Sequence, residues 1–105
     1  MKAAVIQGAG RIETRELSLP EPAPGELLVR VMASGICGTD VHIYRGEYLG
    51  SYPIVPGHEF AGVVEQTGRG VARFKAGERV AVEPNIACDD CVNCLNNRHN
   101  FFLNW

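Results

Sequence analysis

No stretch of the 105-residue sequence sustains the roughly 18–20 consecutive apolar residues needed to cross a bilayer. A membrane-spanning helix is therefore not expected. The opening Met1-Lys2-Ala3-Ala4-Val5-Ile6 carries a positive charge and an apolar start, but it breaks at Gln7-Gly8 before the apolar region of a signal peptide would be complete. No secretion signal is read there, and a cytoplasmic location is expected. Charge of one sign is also missing, since ten Lys and Arg face twelve Asp and Glu for a net charge of −2. That balance offers no general attraction to a nucleic-acid backbone or an anionic lipid surface, so neither is an expected partner. Internal repeats, low-complexity segments and interdomain linkers are absent as well. Gly8-Ala9-Gly10 follows a strand pattern, but Glu13 stands where a dinucleotide-binding fingerprint needs its third glycine, and no long helix pattern follows. The pair reads as a hairpin turn, and the sequence contains no dinucleotide-binding βαβ unit.

What remains is the composition of one folded domain, 46% hydrophobic and 21% charged. A chain of about 100 residues buries enough surface to form one core without cross-links. Twelve glycines and six prolines exceed the usual share and point to many turns and short strands. Period-two alternation and β-branched residues predict strands at 3–7, 12–17, 27–33, 60–67 and 79–83, a mainly β fold. In the third strand Leu27, Val29, Val31 and Ala33 are expected on one face, with Leu28, Arg30 and Met32 on the other. The Pro20–Gly25 stretch reads as a rigid connection, and Gly68-Arg69-Gly70 and Lys75-Ala76-Gly77 as turns. A short helical turn is expected at 40–45 with Thr39 or Asp40 as its N-cap.

Four cysteines in a reducing compartment point to metal binding or catalysis in preference to disulfides. Cys37 lies just after the best-patterned strand, and His58-Glu59 lie in a turn just before the next. A thiolate, an imidazole and a carboxylate are all zinc ligands, and three protein ligands with one open position is the arrangement of a catalytic zinc. The competing reading makes Cys37 a small buried apolar residue and His58 a structural histidine. Cys88-Asp89-Asp90-Cys91-Val92-Asn93-Cys94 repeats the C-x-x-C spacing that wraps thiolates around a tetrahedral ion. Its polar flanks, which include Asn96 and Asn97, leave little core in which to bury three cysteines for packing alone. A redox role for the C-x-x-C pairs lacks the βαβ context.

The order Cys37-Gly38-Thr39-Asp40-x-His42, Gly57-His58-Glu59, Glu78-Arg79-Val80 and then the cysteine-rich loop resembles the N-terminal GroES-like catalytic domain of zinc-dependent medium-chain dehydrogenases, the alcohol and polyol dehydrogenase group. The resemblance implies a partly open β-barrel with short helices, spanning residues 1–105 and truncated before the Rossmann domain. It implies zinc ligation by Cys37 and His58, with Glu59 a ligand or a close neighbour that exchanges with substrate. It makes Asp40 a hydrogen-bond partner of the His58 imidazole. Zinc would lower the pKa of a bound secondary alcohol, Thr39 would accept its proton, and His42 would pass that proton to solvent by way of the cofactor ribose. The resulting zinc-alkoxide would give hydride to NAD(P)⁺ in the full-length enzyme, which is expected to be a homo-oligomer acting on a small alcohol or polyol. Val82-Glu83-Pro84 is similar to the polyol oxidisers.

Two departures follow from the same resemblance. The family's structural zinc loop has a fourth cysteine eight residues after the third, and that position here is Phe102. The loop is then metal-free, binds zinc through three thiolates and water, or recruits Asp89, Asp90 or His99. The chain is also expected to be inactive alone, because it lacks the cofactor domain, and to self-associate through the 101–103 apolar run and Trp105. A stand-alone GroES-like binding module and a small zinc-storage or redox-sensing domain are the alternatives. Neither module nor scaffold needs Cys37 and His58.

Overall fold

The computed structural model describes residues 1–98; the expectations resting on His99, Phe102, the 101–103 run and Trp105 lie outside the described residues. β1 (Lys2–Gly8) and β2 (Arg11–Glu16) form an antiparallel hairpin. Its turn contains Gly10 at φ 72°, as the hairpin reading of the Gly-x-Gly pair requires. β3 (Leu27–Ser34), β4 (Phe60–Thr67) and β5 (Arg79–Ala81) form a second antiparallel sheet in that order. Two short helices, α1 (Gly38–Arg45) and α2 (Val92–Leu95), complete the elements. An isolated bridge joins β1 to the segment that precedes β4, with Ile6 and Ile54 exchanging backbone hydrogen bonds of 2.8 and 3.0 Å. The sheets do not close into a barrel. Among the described residues no helix is long and apolar enough to cross a membrane.

The strand pattern is mainly as expected, with instructive differences. β5 stops at Ala81 where 83 was predicted. Val82 still donates to the Phe60 carbonyl at 3.0 Å, but the Glu83 side chain then accepts from the Asn85 backbone N–H at 3.0 Å and turns the chain. The clean two-faced alternation predicted for β3 is interrupted near the end of the strand. Its pairing with β4 shifts register between Leu28 and Val29, where the extra residue is Glu65 of β4, and again between Val31 and Ala33, where it is Met32 of β3, so only the second irregularity breaks the alternation of β3 itself. Val31 and Met32, consecutive at that bulge, are both exposed. α1 begins earlier than predicted, with Cys37 as its N-cap and not Thr39 or Asp40. Asp40 stands three residues in and reaches back to the Cys37 N–H, the inward half of a capping box.

The core is small. Val5 and Ile6 from β1, Ile43 from α1 and Val64 from β4 are buried, each contributing roughly 1.5–3 kcal/mol. α1 is fixed along its length. Ile43 packs inward, the Tyr52 hydroxyl donates to the Ile43 carbonyl at 2.5 Å, and the Gly10 N–H donates to the Tyr44 carbonyl at 2.7 Å. The central strand has one position that tolerates no side chain. A Cβ on Gly62 would lie 2.1 Å from the carbonyl oxygen of Arg30, a backbone atom of the paired strand that cannot rotate away. Gly62→Ala is therefore expected to destabilise the fold by about 1–3 kcal/mol, read as a lower midpoint in urea unfolding; an unchanged midpoint would refute the close approach.

Candidate functional site

The pairing of β3 with β4 explains how residues 21 positions apart converge. Ser34 lies opposite Phe60 at the end of the ladder, and the Gly35 N–H extends it by donating to the Glu59 carbonyl at 2.8 Å. Beyond that bond the two chains diverge, one into α1 and the other into the turn at Gly57. Cys37 and His58 then face each other across the fork, with the Cys37 sulfur 3.5 Å from His58 Nε2. One ligand-type atom from each of Cys37, His58 and Glu59 lies within 4.8 Å of the others; the first two residues are half-buried and Glu59 is exposed.

Asp40 braces this fork. Its Oδ2 accepts from the Cys37 N–H at 2.9 Å and its Oδ1 from the Gly57 N–H at 3.1 Å. One carboxylate thus joins the backbone at Cys37 to the backbone immediately before His58. These main-chain bonds give Asp40 a different role from the expected hydrogen bond to the His58 imidazole. Gly57 adopts φ 97°, and a Cβ there would lie 3.1 Å from the Ser34 hydroxyl. The turn that presents His58 therefore favours glycine on backbone and packing grounds.

Thr39 and His42 lie three residues apart on α1, and so on one helix face; both are exposed. His42 Nδ1 lies 2.5 Å from Glu47 Oε2. An ionised carboxylate can only accept, so Nδ1–H donates and Nε2 is left to take up a proton. Glu47 was missed in the sequence reading. It follows the helix-ending Gly46, whose φ of 83° turns the chain back, and no spacing motif marks that return. A nearby apolar cleft of about 430 Å³ has Ile36, Val41, Tyr44 and Asp40 in its lining, and neither Cys37 nor His58 lines it.

The cysteine-rich loop forms a second cluster. Cys91 caps α2 and Cys94 lies one turn on, which brings their sulfurs to 3.5 Å. Asp89 takes φ 62° and turns the chain so that the Cys88 sulfur lies 3.8 Å from that of Cys94. None of the four cysteines is in a disulfide. Burial pushes the Cys94 thiol up to about 11, and its hydrogen bond with Cys91 acts in the same direction. A coordinated ion would reverse this by stabilising the thiolate.

The two clusters differ in their fit to zinc. Bonds of about 2.3 Å to sulfur and 2.0–2.1 Å to nitrogen at a tetrahedral angle separate the donors by about 3.5 Å, which matches the Cys37–His58 distance of 3.5 Å. The three sulfurs of the loop match one face of a tetrahedron, and the cluster among the described residues has no fourth donor. A closed structural zinc site uses four protein ligands.

Residues 23–105 match the family described as alcohol dehydrogenase GroES-like domain. The chain belongs to that family. It is the N-terminal domain type of the zinc-type medium-chain dehydrogenases, as the motif order implied. This GroES-like domain is 42% identical over 104 residues to the sorbitol dehydrogenase of Bacillus subtilis (strain 168), covering 95% of this chain and 30% of that protein. It resembles the cobalt- and zinc-bound thermostable alcohol dehydrogenase of Pyrobaculum aerophilum with a TM-score of 0.89 and 35% identity, over 97% of this chain and 32% of that one. An alcohol dehydrogenase of Escherichia coli CFT073, complexed with NADH, gives a TM-score of 0.86 and 42% identity, over 97% of this chain and 30% of that one. The GroES-like domain thus spans about 30% of the length of the curated relatives it matches, among them sorbitol and D-altritol 5-dehydrogenases.

Proposed function

We propose that this domain supplies the metal ligands and the proton path of a zinc-dependent alcohol or polyol dehydrogenase. In the whole protein, acting in the cytoplasm, a secondary alcohol is oxidised with NAD(P) as hydride acceptor. The observation that carries this reading is the convergence of Cys37, His58 and Glu59 at the fork between β3 and β4, where Cys37 caps the helix that carries Thr39 and His42. A mixed thiolate, imidazole and carboxylate set suits zinc, and zinc held there would supply Lewis-acid polarisation of an alcohol oxygen. Glu59, the exposed member, is the ligand able to give way to substrate. Asp40 holds the two ligand-bearing segments in register through their backbone. Thr39 takes the substrate's hydroxyl proton, and His42 accepts it at Nε2 while Glu47 holds Nδ1–H. From its exposed position His42 delivers the proton to water. No dinucleotide fingerprint occurs in these 105 residues, so the nicotinamide cofactor is assigned to the rest of the whole protein.

The test is NAD(P)-dependent oxidation of a panel of secondary alcohols and polyols by the whole protein. Activity is expected to disappear on zinc chelation and return on readdition. His42→Ala and Thr39→Val are each expected to lower kcat by about 100-fold while leaving zinc content intact, and Glu47→Gln by about tenfold. Full activity after the zinc has been removed, or unchanged kcat in both His42→Ala and Thr39→Val, would refute the assignment.

A further inference from the structure

We infer that the loop of Cys88, Cys91 and Cys94 is a site for thiophilic ions that take three sulfurs, with trivalent arsenic as the type, and is not a closed zinc site. Its sulfurs already form a triangle, with Cys94 3.5 Å from Cys91 and 3.8 Å from Cys88. The chain has four cysteines, and the remaining one, Cys37, lies beside His58 at the other cluster. Within these 105 residues no fourth thiolate is left to complete a tetrahedron. Among the described residues no imidazole or carboxylate joins this cluster. Zinc held by these three thiolates alone would keep one coordination position open to water, and that position is where a chelator would enter.

A soft ion whose own lone pair fills the fourth direction has no such weakness, and soft thiolate ligands select soft ions. Arsenous acid reacts with the three thiols as As(OH)₃ + 3 RSH → As(SR)₃ + 3 H₂O. Three As–O bonds break and three As–S bonds form. Each thiol proton leaves with a hydroxide as water, and neither arsenic nor sulfur changes oxidation state. The two half-buried or buried C-x-x-C pairs make the three attachments intramolecular after the first, so the second and third bonds form at high effective concentration.

The test uses the reduced chain, titrated separately with arsenite and with zinc; bound element is measured after desalting and accessible thiols are counted. About one arsenic per chain is expected, with three thiols protected and Cys37 still reactive, and an intact mass raised by one arsenic less three hydrogens. Losing even a supporting partner of a ligand weakens metal affinity by about 10–100-fold, so Cys91→Ser and Cys88→Ser should each weaken arsenite binding by at least about tenfold. Zinc at the loop should yield to brief chelation in the parent and persist in Phe102→Cys, which restores a fourth thiol at the family position. Circular dichroism identifies any variant that fails to fold, and the half-buried Cys88 provides the gentler substitution. Arsenite binding unchanged in both serine variants, or chelator-resistant zinc at the loop of the parent, would overturn the inference. Zinc at Cys37 and His58 is read in the same serine variants, so failure here is separable from failure of the proposed function.

Discussion

Cys37→Ser and His58→Ala are each expected to lower zinc affinity at the fork between β3 and β4 by about 100-fold or more. Zinc binding to a complete four-ligand site amounts to about 10–16 kcal/mol, so one ligand is worth about 3 kcal/mol, or two decades in affinity. Neither substitution can be compensated locally. A serine hydroxyl at position 37 is not ionised at neutral pH and offers no thiolate. An alanine at 58 leaves the Cys37 sulfur facing empty space where Nε2 stood 3.5 Å away. Glu59→Gln should cost less, because Glu59 is exposed and water can replace its oxygen. Zinc retained after a timed chelator challenge measures the effect, and the loop's own zinc, read in the same challenge, is subtracted with the Cys91→Ser chain. The Cys91→Ser chain is the internal control, since its fork is intact. Parent-like zinc retention in both Cys37→Ser and His58→Ala would remove the metal centre, and with it the proposed chemistry.

Much of this site was legible before any coordinates, because its signals are local. Alternation placed β4 at residues 60–67, and C-x-x-C spacing placed three sulfurs together. Cys37 after one strand and His58 before the next are adjacent once those strands pair, so recognising the strands was nearly enough to join the two residues. The role of Asp40 was not legible. Its bonds go to main-chain N–H groups, which every residue but proline carries, so no residue type at position 57 advertises a donor. The two register shifts between β3 and β4 were hidden for a related reason: they arise from the pairing, where Glu65 of β4 and Met32 of β3 are skipped, and the alternation of β3 read alone is regular. Glu47 illustrates a third limit. It meets His42 only because Gly46 ends α1 in the left-handed region, and neither helical nor strand spacing relates positions 42 and 47.

Asp40→Ala is expected to loosen both ligand-bearing segments at once, and its two effects can be separated. Hydrogen bonds to a charged group contribute about 1.5–3 kcal/mol each, and two backbone donors depend on this carboxylate. Partial exposure of Asp40 moderates the sum, which gives an expected loss of about 2–4 kcal/mol in folding stability, a large share of a typical domain's total. Zinc affinity should fall as well, by about tenfold, because Cys37 and His58 must then be brought into register when the ion binds. Asp40→Asn distinguishes geometry from charge. The amide oxygen can accept from one N–H, but its NH₂ then faces the other as donor against donor, so the asparagine variant should recover less than half of the lost stability. A merely structural cap at Cys37 would predict otherwise. In that case Asn, a good partner for one N–H at a helix start, would restore nearly all stability and leave zinc affinity at the parental level. Parallel urea unfolding of the metal-free chains and zinc competition on the folded ones decide between these outcomes.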